Sequence, residues 1–378
     1  MRTLAVLLLA TIALPAALPA QPQPAASQQV SPRAVATTLA DKLVSDFVFP
    51  EQGARYAQAL RANAAAGAYD ALSGLPLADR LTKDLQAVAP DGHLGVRHAG
   101  LGGGGPQIIL KGPPPAAGSA AAPGQQPRMI RMAPPPAIEH AGWIAPGIAF
   151  VRFNGFPGDP ETVDAARRFM EAHVDAKTII FDIRTHRGGG LGEMDAIFPW
   201  LFDKPTRLVT MATRKAVDQA GGSPLEGVST LRLVDGDPAF VTREHWVTPG
   251  PDRRLNDARV YVLTSGLSAS AAEHFAQALK GARRATLIGS STYGANHFGG
   301  DQELGGSYTA FIPVGRTFDP ATGKDWEGSG VTPDIAVPAE DALVKALTLS
   351  GVAQSEASAL SLKVAPMMPM ATPRQASR

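Results

Sequence analysis

From Ile148 onward the chain alternates short apolar runs with stretches whose apolar residues recur every three to four positions. Runs at 148–153, 178–183, 208–213, 259–263, 286–288 and 308–313 predict strands, several of them apolar throughout and therefore buried. Between them, 161–173, 191–202, 269–281 and 340–349 predict helices. Strands alternating with helices place this part of the chain in the α/β class. The first hundred residues follow another pattern. Val35, Leu39, Leu43 and Phe47 lie four apart, followed by an apolar group from Tyr56 to Leu60 and by Leu77, Leu81, Leu85 and Val88. Ser31-Pro32 offers an N-cap with proline at the first helical position. A small three-helix bundle ending at Pro90 is predicted.

Composition separates these two parts from looser ones. The 378 residues include 39 Gly and 33 Pro, concentrated between 100 and 136, where apolar periodicity is lost. Short strands are expected there at 108–110 and 129–132, within a segment otherwise expected to be mobile, dispensable for the fold and able to act as a lid. At the N-terminus, Met1-Arg2 precedes an apolar run from Leu4 to Leu18, and Ala20-Gln21 offers a cleavage point. That run is shorter than the ~20 residues needed to span a bilayer. The expected organisation is a signal peptide at 1–20, a linker at 21–30, and an N-terminal helical domain at 31–98. A Gly/Pro-rich insertion at 99–142, an α/β core at 143–350 and a disordered tail at 351–378 follow. The protein is then exported, periplasmic or secreted, with no integral membrane segment once the signal is removed.

Charge and cysteine content narrow the chemistry. Lys plus Arg number 35 and Asp plus Glu 34, a net charge of +1, which gives no global attraction to nucleic acid. The chain has no cysteine, which excludes disulfides, cysteine-bound zinc and a thiol nucleophile. Catalysis would rest on Ser, Thr, His, Lys or carboxylates.

Two segments offer such chemistry. In the first, the strand at 259–263 runs through Ser265, Ser268 and Ser270 into a helix carrying Glu273, His274 and Phe275. A serine at a helix N-terminus lies among free backbone N–H groups and the positive end of the helix dipole, which stabilise an oxyanion. Either Ser268 or Ser270 could equally be a simple N-cap. In the second, the strand at 178–183 ends in Asp182, Arg184 and His186, then Gly188, Gly189 and Gly190. Glycines there let N–H groups approach a ligand closely, or merely make a tight turn. Neither a Walker loop nor GxGxxG is present.

Together these segments resemble the C-terminal-processing, or tail-specific, serine peptidases. The similarity lies in the strand end from Asp182 to Gly189, the Ser268 to Glu273 turn, Gly289 to Gly294, and Gly330 to Asp334. Phe47 to Pro50 and Asp91-Gly92-His93-Leu94 are similar to the branch that includes the retinoid-binding repeats of photoreceptors. The resemblance implies a crotonase- or Clp-like spiral core behind the N-terminal helical bundle, with Ser270 as nucleophile. Where the main branch has its catalytic lysine, this chain has Ala295. The tricorn-like branch uses Ser, His and Glu, which implies His93 as base and Glu327 as the acid that orients it; Gly92 stands where that branch has serine. The backbone N–H groups of Ala271, Gly188 and Gly189 are expected to hold the oxyanion. His274 and His297 compete with His93 for the role of base, and His93 with His98 lacks a third ligand for a metal. The expected activity is peptide-bond hydrolysis through an acyl-enzyme, on peptide or protein substrates, without metal or cofactor. The same fold without catalysis would bind apolar ligands or peptides.

Overall fold

A computed structural model describes residues 30–99 and 135–368. The signal peptide, nearly all of the linker, the lid with its strands at 108–110 and 129–132, and the last ten residues lie outside the described residues.

Three helices open the described chain: α1 (Pro32–Asp46), α2 (Pro50–Ala65) and α3 (Gly74–Val88). Ser31 caps α1 by accepting the Ala34 N–H at 3.2 Å, with Pro32 at the first position. A short strand follows, β1 (Gly95–His98), then β2 (Ile138–Ala145), β3 (Ile148–Phe153), α4 (Pro160–Ala172), β4 (Thr178–Asp182) and α5 (Gly192–Ile197). The helix predicted to run to 202 breaks into a 3-10 turn at Phe198–Trp200, where Pro199 has no N–H to continue the ladder. Next come β5 (Thr206–Arg214), α6 (Lys215–Gln219), β6 (Leu231–Val234), β7 (Phe240–Val247), β8 (Arg259–Thr264), α7 (Ala271–Gly281) and β9 (Thr286–Gly289). The chain ends with β10 (His297–Gly305), β11 (Tyr308–Phe318), β12 (Ile335–Ala336), α8 (Ala342–Leu349) and α9 (Gln354–Lys363).

The strands form two sheets. One has the order β12-β9-β8-β4-β3-β2, parallel except for the edge strand β2. Apart from the edge strand β2, its strands are mostly apolar because both faces are covered, and the two-residue period sorts them. Ala149, Val151, Phe153, Ile179, Phe181, Val260 and Val262 pack with Met170 of α4 and Phe275 of α7. Ile148, Phe150, Ile180, Tyr261 and Leu263 pack with Leu343 and Leu347 of α8 on the other face. The second sheet is antiparallel, β1-β11-β5-β7-β6, with β10 also paired to β11. The helical bundle closes on it: Leu39, Leu43, Tyr56, Leu81 and Leu85 share one core with Leu304, Tyr308, Ala310 and Ile312. The fold is thus mixed α/β with two sheets.

Two expectations need correction. The tail is not disordered from 351: α9 buries Ala357 completely and packs Leu360 and Val364 against the α8 side of the parallel sheet. Those three residues are spaced for one helical face, a signal too short to stand out among small polar neighbours. The insertion also ends earlier than 142, because β2 begins at Ile138 and pairs with β3.

Candidate active site

In the parallel sheet β4, β8 and β9 point the same way, so the loops after their C-terminal ends meet at one edge, where ligands of such sheets bind. The loop after β8 is fastened to the end of β4. Ser268 Oγ donates to Ile183 O at 2.8 Å and accepts the Ser265 N–H at 3.0 Å, while Ser265 Oγ donates to Arg184 O. Ser268 is therefore a structural serine. Ser270, at the N-terminus of α7, is half-buried and held at φ 59°, ψ −117°, a backbone conformation that non-glycine residues rarely adopt.

Glu273 ties this turn to the next loop. Its buried carboxylate accepts the N–H groups of Ser270 (2.9 Å), Gly294 (2.7 Å) and Ala295 (2.8 Å), and the Thr292 hydroxyl (2.6 Å). Burial nevertheless pushes its carboxyl above the ordinary range. On the opposite side stands the glycine loop. A Cβ on Gly188 would lie 2.9 Å from Ser270 Cβ, and one on Gly189 would lie 1.9 Å from Phe156 O. Both residues have φ in the range glycine favours, 117° and 134°. The strand end beneath is anchored by buried ion pairs of Asp182 with Arg152 and Arg184, which hold the Asp182 carboxyl down at about 2 against the opposing effect of burial.

The three expected oxyanion donors differ. Gly188 N–H turns inward and donates to His186 Nδ1 at 3.0 Å, which takes it away from Ser270 in this conformation. His186 is fully buried and its pKa is pushed down to about 3 by desolvation, so it is a neutral acceptor. Among the hydrogen bonds of the described residues, neither Ala271 N–H nor Gly189 N–H is used.

His93 comes to the same edge on the turn before β1. Gly92 packs against the position of the missing lysine: a Cβ there would lie 2.7 Å from the Ala295 Cβ, so the serine of the tricorn-like branch does not fit. The His93 ring stacks on Phe311 at 5.1 Å. Its Nδ1 is buried without a partner among the described residues, and desolvation pulls its pKa down to about 4. Among the described residues no hydrogen bond joins Glu327 to this ring, contrary to expectation. Its carboxylate accepts the backbone N–H groups of Gly92 (2.6 Å), Asn296 (2.8 Å) and His297 (3.2 Å). It orients the His93 turn through the main chain.

Residues 147–337, just over half of the chain, match the sequence pattern of peptidase family S41. The chain belongs to that family. Among solved structures, a candidate peptidase from Parabacteroides merdae is similar over 86% of this chain and 98% of its own, at 17% identity and a TM-score of 0.55. The photosystem II D1 C-terminal processing protease is 22% identical over 58% of this chain, with a TM-score of 0.40. This S41 chain spans about half of that protease, 48% of its length.

The two rival histidines have other partners. His297 Nδ1 lies 2.7 Å from Asp91 Oδ2 and 3.8 Å from Glu327 Oε2. Burial opposes its charge, but the hydrogen bond to Asp91 and the two carboxylates outweigh it and raise its pKa. Asp91 Oδ1 meanwhile accepts the N–H groups of His93 and Leu94, both at 2.9 Å. Asp91, His297 and Glu327 bring ligand-type atoms within 4.8 Å of one another, as a cation would need. Every carboxylate oxygen of the group is already hydrogen-bonded, so as it stands the cluster shares protons. His274, one turn after Ser270, has its Nε2 2.8 Å from His245 Nδ1 in a hydrogen bond, and His245 Nε2 meets Asp195 Oδ1 at 2.9 Å. Burial and His245 hold His274 well below its ordinary pKa. His98 lies against Tyr308 instead of joining His93. Sequence reasoning missed Glu273 as the organising carboxylate and Asp91 as the partner of His297; the first was quoted within its motif, where only its spacing from Ser270 hints at capping.

Proposed function

We propose that this S41 chain is an exported serine hydrolase that cleaves peptide bonds, with Ser270 as nucleophile and His93 as proton carrier. The observation that carries the reading is the strained, half-buried Ser270 at a helix N-terminus, beside a glycine loop that only glycine fits. Ser270 Oγ attacks the carbonyl carbon and its proton passes to His93, which desolvation keeps neutral and able to accept it. Ala271 N–H and Gly189 N–H receive the oxyanion, and the intermediate collapses as His93 protonates the leaving amine. Water then attacks the acyl-enzyme, giving its proton to His93, and the acid leaves as Ser270 recovers its hydrogen. Glu327 completes the Ser-His-Glu set at one remove, by holding the turn that carries His93.

In the same reading the two-sheet core is the crotonase- or Clp-like spiral that the resemblance implies, supported by the successive β-α-β units around β4 and β8. The helical domain at 31–98 belongs to the enzyme because it carries His93, and the charged start and apolar run of the N-terminus support export. The test is labelling with a fluorophosphonate probe, together with hydrolysis of a capped peptide mixture. Native protein should label and hydrolyse, and Ser270→Ala should do neither. Labelling that survives Ser270→Ala refutes the nucleophile, and no labelling of native protein favours a binder on this fold.

A further inference from the structure

Arg187 lies between His186, which accepts Gly188 N–H, and Gly188, which packs on Ser270. Its backbone is fixed, since Arg187 N–H donates to Asn154 O at 3.1 Å. Its side chain is exposed, and its guanidinium has no hydrogen-bond or ion-pair partner among the described residues. That sets it apart from Arg214 and Arg284, whose guanidinium groups are engaged. Arg214 gives hydrogen bonds to Val44 O and Phe47 O, and Arg284 to Leu201 O, Ala258 O and Leu255 O.

Three carboxylates of the site are engaged elsewhere. Glu273, the acid nearest Ser270 in sequence, is buried under four hydrogen bonds, and Glu327 and Asp91 are engaged by backbone N–H groups. Tyr293 is 41% exposed, and its N–H donates to Ser268 O at 2.9 Å. Arg187 and Tyr293 therefore rise from the two loops that flank the Ser268–Ser270 turn. One supplies a forked cationic donor and the other a hydroxyl.

We propose that Arg187, with Tyr293 on the facing loop, is a specificity residue that selects substrates bearing an acidic side chain next to the bond presented to Ser270. A guanidinium fork matches a carboxylate with two parallel N–H···O bonds. A neutral glutamine in that position would leave the guanidinium unmatched, and a lysine would repel it. The proposal rests on the reading of Ser270 as nucleophile for its placement, but its test does not require turnover.

The test measures binding to Ser270→Ala protein by fluorescence anisotropy, using pools of hexapeptides acetylated and amidated at their ends. One position at a time is fixed as Glu, Gln or Lys, so the only carboxylate offered is a side chain. At one position the Glu pool is expected to bind at least tenfold more tightly than the Gln pool, with a preference that weakens as salt rises. Adding Arg187→Gln should erase that preference, and adding Arg187→Glu should invert it toward Lys; because Arg187 is exposed, both variants should melt with the parent. Equal binding of Glu and Gln pools at every position overturns the proposal, as does a Glu preference that survives Arg187→Glu. Hydrolysis by native protein is scored separately: a failure there counts against Ser270 chemistry, and a failure of charge selection counts against Arg187.

Discussion

The three histidines that compete for the role of base differ in what surrounds them, and so in what their removal does. His93→Ala should slow acylation by about 10³-fold or more, measured as the rate of fluorophosphonate labelling. His274→Ala should cost far less, because its Nε2 already serves His245. A larger loss from His274→Ala would reverse the assignment. With its pKa near 4, His93 stays unprotonated across the weakly acidic range, so labelling should hold its rate from pH 7 down to about 5. An acid limb centred near 6.5, the ordinary imidazole value, would count against it. His297 bears on stability with the opposite sign. Its folded pKa lies above the unfolded value, so what it contributes is present in full below about pH 6.5 and is lost as pH rises through the folded value. The gap in Tm between native protein and His297→Gln should therefore narrow from pH 6 to 9, and a constant gap would disprove the link.

Among the elements, the turn before β1 and the helix α9 make the sharpest cases. Gly92→Ala places a methyl 2.7 Å from Ala295 Cβ and 3.0 Å from Gly294 O, both on the loop that Glu273 holds. It should cost about 1–3 kcal/mol of stability and slow labelling more than tenfold by shifting His93; unchanged labelling would show that the turn has slack. In α9, Ala357→Asp buries a carboxylate where Ala357 is now completely buried, and should lower Tm by undocking the helix from α8. An unaltered Tm would restore the disordered tail. These elements also mark how far the sequence could be read. The apolar runs at β3, β4 and β8 were legible because burial on both faces leaves few polar positions, and the Ser270 and Gly188 loops followed from where those strands end. β7 was not, since Arg243, Glu244 and His245 interrupt its alternation and find their partners, Asp218, Arg207 and Asp195, in other elements. The bond between Asp91 and His297 spans 206 residues, and no local pattern announces a contact that only the closed sheets create.

On the scale of the whole molecule, the helical bundle leads into the turn of the proposed base His93 and covers a sheet. A fragment beginning at Pro136 loses His93 and bares Leu304, Tyr308, Ala310 and Ile312 of β10 and β11. It should label no faster than His93→Ala and should aggregate, as an uncovered apolar sheet face does; a soluble fragment with full labelling would show that the core suffices. The backbone of Ser270 has a consequence of the same breadth. At φ 59° and ψ −117° the fold as a whole holds one residue in a shape it would leave if released, and such strain costs about 1–3 kcal/mol. Ser270→Ala removes the hydroxyl and keeps the strain, whereas Ser270→Gly removes both, less the greater freedom glycine gives the unfolded chain. The glycine variant should be as inert as the alanine one yet melt roughly 1–3 °C above it. Heat resistance and reactivity would then compete for a single backbone angle, so that selection for thermal endurance alone would wear away the nucleophile first.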